Sequence, residues 1–83
     1  MTFDPSTLLH VSHSVAVELA RQLNGTTSNA DLLSRAGISG PVAIEIARQM
    51  SVGAGDVGKL HMFGFSVDDA KTLAGAITAA GAR

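Results

Sequence analysis

The chain has no cysteine, so neither a disulfide nor a thiolate metal site can add to its stability, and its redox compartment cannot be read. Charge is also scarce: Asp, Glu, Lys and Arg make up 16% of the 83 residues, and the net charge is −1. Such a balance supplies no long-range field to gather nucleic acid or an anionic membrane. No apolar run approaches the roughly 18 residues of a membrane span, and no basic-then-apolar leader pattern opens the sequence. G-x-S-x-G, Walker and H-E-x-x-H patterns are missing, so no catalytic constellation is expected and no cofactor is implied. The three histidines, His10, His13 and His61, have no acidic cluster to complete the four ligands of a structural zinc site, and no metal is expected. What remains is a short chain with 46% hydrophobic residues, much of it alanine, which favours close helix packing. One domain spanning residues 1–83 is expected. At this size it buries only about 60–65% of its unfolded surface, so it needs good packing or a partner.

The chain is organised by repetition. Residues 11–23, V-S-H-S-V-A-V-E-L-A-R-Q-L, return twenty-seven residues later as 38–50, I-S-G-P-V-A-I-E-I-A-R-Q-M. Seven of the thirteen positions are identical and four more exchange one apolar residue for another. A weaker third copy, residues 64–77, keeps Gly64, Ser66, Ala70, Leu73, Ala74 and Ile77 in register with Gly37, Ser39, Ala43, Ile46, Ala47 and Met50. A fixed period with three copies predicts an all-α fold of stacked units. Each unit is a short helix, a tight Gly/Ser corner and a longer amphipathic helix, with repeats at about 4–25, 28–52 and 55–80.

Local signals place about six helices. Asp4 reads as an N-cap with Pro5 behind it, opening a short helix over 5–9. The longer helices are expected over 14–23, 41–50 and 67–80. The first should bury Val15, Ala16, Leu19, Ala20 and Leu23 at helical spacing, with Glu18, Arg21 and Gln22 facing away. Ser28-x-x-Asp31 and Ser66-x-x-Asp69 read as capping patterns, and Asp56 as a third cap. Residues 51–55 read as a flexible break. Leu9, Val11, Leu33, Ile38, Leu60, Phe63 and Phe65 are expected to plug the spaces between the longer helices.

Three features bear on function. Glu18-x-x-Arg21-Gln22 recurs as Glu45-x-x-Arg48-Gln49, either a solvated face with i,i+3 ion pairs or a polar recognition stripe. Val17 and Ile44 lie about 120° from the centre of their own apolar face. They share the outer side with Arg21 and Arg48, where the third copy has Lys71. They are either an interface or part of a wide apolar face covered by the neighbouring unit. Asp68-Asp69 reads as negative charge in the first turn of a helix, favourable to its dipole.

Two resemblances follow from these motifs. The corner G-I-S-G-P-V-A-I-E-I, with its copy G-F-S-V-D-D-A-K-T-L, resembles the helix-hairpin-helix motif. That likeness implies backbone contacts to a nucleic-acid phosphate at Gly37, Ser39, Gly64 and Ser66. The second glycine of that motif is serine in both copies, and the first copy has His10 and Ser12 in the glycine positions. Basic residues near the corners are few, and the competing reading is a tight turn between packed helices. The run G-I-S-G-P-V-A-I-E-I-A-R-Q-M with its upstream twin is similar to the short helical repeats of small virion proteins of tailed bacteriophages, the head-decoration, capsid-cement and head-fibre class. This resemblance covers residues 11–50 well and 60–77 weakly. It implies a non-enzymatic protein on the capsid surface, assembled in the host cytoplasm. Its partner would be capsid protein, with self-association into a homo-oligomer a further expectation. Phe3, Val17, Arg21, Ile44, Arg48, Met62 and Phe63 are the candidate interface residues.

Overall fold

Helices begin at His13, Gly40 and Val67, twenty-seven residues apart, so the sequence period is carried into the backbone. The computed structural model describes residues 2–25 and 27–82. The order is a 3-10 turn, Pro5–Thr7, followed by α1 (His13–Gly25), α2 (Ala30–Ala36), α3 (Gly40–Val52), α4 (Val57–Met62) and α5 (Val67–Gly81). The described residues are all-helical, with no strand. The corners of the second and third units are nearly superimposable. Gly37 and Gly64 take φ of 126° and 116°, values that a residue with a Cβ rarely adopts. Ser39 and Ser66 follow as N-caps at φ/ψ of −61°/151° and −60°/157°. Equivalent positions share the core: Leu19, Ile46 and Leu73 are fully buried, as are Leu33 and Leu60.

The units do not form an open row. Helix α5 packs against both α1 and α3, while α2 fills between α1 and α3, so the third unit returns to the first. The radius of gyration is 10.8 Å with extents of 27 × 23 × 23 Å. That is tighter than the about 11.8 Å typical for a globular domain of this length, as closure requires.

Several local expectations are corrected. The first helix is only a 3-10 turn; Asp4 does cap it, accepting from the Ser6 N–H. Beyond it Leu8 is extended, so neighbouring side chains point opposite ways. Leu8 is therefore buried and Leu9 is 70% exposed, the reverse of the expected core assignment. Phe63, also expected as a plug, ends α4 and is 40% exposed. Ser28 does not cap α2: Asn29 does, accepting from the Leu32 N–H, while the Ser28 hydroxyl meets that of Ser51. Residues 51–55 are not a free break, because Ser51 and Val52 are helical and the Gly55 N–H donates to Thr78 Oγ1 at 3.0 Å.

The largest correction concerns Gln22 and Gln49, which are fully buried rather than facing solvent. Gln22 Oε1 accepts the Asn29 N–H, and Gln49 Oε1 accepts the Asp56 N–H, at 2.9 and 3.0 Å. Each glutamine thus fastens the end of one long helix to the cap of the next short helix. Each also donates through Nε2 to its own glutamate, Glu18 or Glu45, at 2.8 and 2.9 Å. The same carboxylates take Arg21 and Arg48. The repeated Glu-x-x-Arg-Gln is therefore a clamp between units, with the arginines on its outer, half-exposed side.

Arg48, and then Gln49, hold the Glu45 carboxyl down at about 2; Arg21 lowers Glu18 in the same direction. A depressed carboxylate stabilises the fold above its unfolded value near 4.5, and that contribution is lost as pH falls toward 2. Thermal melts followed by circular dichroism should therefore show a falling midpoint between pH 4.5 and 2. In a Glu18→Gln/Glu45→Gln variant that slope should be shallower. An equally steep fall in the variant would remove the clamp as its source.

Candidate functional site

Three corners meet at one end of the molecule, where α1, α3 and α5 begin. They surround an open cavity of about 590 Å³. The first corner contributes His10 and Val11, the second Ile38 and Ser39, and the third the segment from Phe63 to Ser66. Their convergence follows from the repeat: the same corner, built three times and closed about one core, brings equivalent segments together.

Asp69 forms part of the wall and is 1% exposed. The Ser66 half of the expected capping pattern is present, since the Asp69 N–H donates to Ser66 Oγ at 3.1 Å. The acidic half is not: the carboxylate leaves its own helix and accepts the Leu9 and His10 N–H groups at 2.9 and 2.8 Å. Asp69 stands in the first turn of α5, as expected, and its carboxylate also closes the third unit onto the first. Asp68 shares that turn and is exposed. Across the cavity, His61 Nδ1 donates to the Phe65 carbonyl oxygen at 2.9 Å.

The candidate interface residues fall in three places. Met62 and Phe63 lie at the corner end, Met62 76% exposed. Val17 with Arg21, and Ile44 with Arg48, are exposed on the outer faces of α1 and α3, so the neighbouring unit does not cover them. Phe3 belongs to the opposite end and is half-buried against the core. The Asn24 side chain holds its backbone there, accepting from the Phe3 N–H and donating to its carbonyl. Leu9 and Val67 are exposed next to the corner residues and were not among the expected interface positions.

The nucleic-acid alternative placed Gly37, Ser39, Gly64 and Ser66 at phosphate contacts. Ser39, Gly64 and Ser66 border the cavity. The Gly37 and Gly64 N–H groups are engaged by the Ser34 and His61 carbonyls, and those of Ile38 and Phe65 by Leu33 and Leu60. These bonds close the preceding helices, so the Gly37 and Gly64 donors serve the turn itself.

Among the described residues, no cluster of three or more His, Asp or Glu side chains is placed to hold a metal ion. No helix among them is long and apolar enough to cross a membrane. Compared with models of known protein families, with curated proteins and with solved structures, the chain matches none.

Proposed function

We propose that the chain is a non-enzymatic structural protein that docks through its corner end on a larger protein assembly. A phage capsid is the assembly indicated by the resemblance of residues 11–50, and the site of action would then be the virion surface. One observation carries the reading: four large apolar side chains, Leu9, Met62, Phe63 and Val67, are exposed on the segments that flank a single cavity. Scattered apolar residues need no explanation on a protein surface, whereas a group around a concavity marks an interaction site. The apolar rim would supply burial, and the cavity would receive a projecting side chain of the partner. Self-association through the same end is the competing use of this surface.

Co-sedimentation with particles assembled from the major capsid protein of the same genome tests the proposal. Met62→Asp and Leu9→Asp should each weaken binding at least about tenfold, as expected for central contacts of an interface. Their thermal stability should stay within about 0.5 kcal/mol of the parent, because both side chains are largely in solvent. Ile44→Asp, 64% exposed on the outer face of α3, serves as the comparison. Loss of binding in Ile44→Asp with full binding by both corner variants would move the interface to α1 and α3. Wild-type binding by all three would sink apolar docking altogether.

A further inference from the structure

We infer that the three-corner cavity receives a basic side chain, lysine or arginine, from the docked partner; this rests on the docking reading and adds the partner's chemistry. The chain has three phenylalanines and no tryptophan or tyrosine, and two of the three, Phe63 and Phe65, line this cavity. Aromatic faces attract ammonium and guanidinium groups, and their edges shelter an alkyl stem. Asp69 forms part of the same wall. Both of its hydrogen bonds come from neutral backbone donors, Leu9 and His10, one to each oxygen. At 1% exposure the group is closed to direct contact, and its negative charge acts on the cavity through the wall.

The charge of Asp69 is not balanced from within. The two ion pairs among the described residues are those of Glu18 and Glu45, and no lysine or arginine lines the cavity. His61 supplies an acceptor: because its Nδ1 donates to the Phe65 carbonyl, a neutral ring presents Nε2 as an acceptor. The hydroxyl of Ser39 makes no capping bond to its own helix and stands at the rim. An anionic occupant would be repelled by the carboxylate's charge. A purely apolar one would cover these acceptors without offering a donor, a net loss. A cationic head on an alkyl stem suits the negative charge behind the wall, the rings and the apolar side chains of Val11, Ile38 and Val42 together.

Nitrogen-15 amide spectra of the whole chain, titrated with Nα-acetyl-lysine and Nα-acetyl-arginine N-methylamides, provide the test. The norleucine and citrulline counterparts serve as neutral isosteres. The amides of Leu9, His10 and the first turn of α5 should shift saturably with a cationic probe. A neutral isostere should bind at least about fivefold more weakly, in line with loss of the attraction to a nearby carboxylate. Phe63→Leu, whose parent side chain is partly exposed, should fold normally and weaken the cationic probe about threefold. No saturable shift with either cation, or norleucine binding as tightly as lysine, overturns the inference. Co-sedimentation with capsid particles but no probe binding removes the cation site and leaves the docking surface. Probe binding without co-sedimentation does the reverse.

Discussion

Gly55→Ala should be strongly destabilising, because of all the glycines it is where an added Cβ would come nearest to other atoms. A Cβ at Gly55 would lie far inside 3.0 Å of the Ala74 backbone, where no flexible side-chain end can yield. Backbone must therefore move, either the 53–55 segment or helix α5. The Gly55 N–H bond to Thr78 Oγ1 would be disturbed with it. Overpacking of this kind costs about 3 kcal/mol or more, which corresponds to a fall in Tm of at least roughly 12 °C for a domain of this size. Gly75→Ala is the matched control. It adds a methyl on α5 itself, the helix on which Gly55 is seated, but nothing lies within 4 Å of the new Cβ. It should stabilise the protein by about 0.5–1 kcal/mol, the usual gain of alanine over glycine inside a helix. Denaturant titrations of the two variants should thus move in opposite directions. If Gly55→Ala melts with the parent, the close seating of residues 53–55 on α5 is wrong.

Asp69→Asn should follow in size, although it changes one atom and no volume. The two carboxylate oxygens accept one N–H each, from Leu9 and His10. An asparagine has only one oxygen, so either orientation turns an NH2 group toward a backbone donor. Losing one charge-assisted bond and leaving a half-buried N–H unsatisfied costs about 2–3 kcal/mol. Asp68→Asn, next to it but exposed, should cost under about 0.5 kcal/mol. The loss should also be local to the ring closure. Hydrogen exchange of the Leu9 and His10 amides should accelerate in Asp69→Asn more than exchange in the middle of α3. Uniform acceleration across the chain would mean that Asp69 does not act as a specific latch between the first and third units.

Asp69 and the two clamp glutamines carried a trace in the sequence that periodicity alone did not convert into structure. Asp69 stands where the other copies have Val15 and Val42, on the stripe continued by Leu73 and Ile77, all of them at least half-buried. An acid on that stripe must find buried donors. Its partners are 59 and 60 residues away, so no local rule could name them. Gln22 and Gln49 likewise lie on the inward side of their helices, but beside Glu and Arg they read as surface. Only the path of the following loop, which brings Asn29 and Asp56 back to them, makes them buried clamps. Leu8 and Leu9 exchanged roles for a related reason: the turn before them ends at Thr7, and one residue of register decides which of two leucines is inside.

By itself the sequence determined the all-helical class, the twenty-seven-residue unit, and the Gly37 and Gly64 corners. These depend on residues within a few positions of one another, where spacing, capping and glycine's backbone freedom act directly. Tertiary structure alone decided that the units close on themselves, so that α5 meets both α1 and α3 and three corners share one cavity. Repetition states that neighbouring units are alike, but says nothing of the rotation between them. That rotation is set by long-range packing and by the few polar side chains, Gln22, Gln49 and Asp69, that reach from one unit into another.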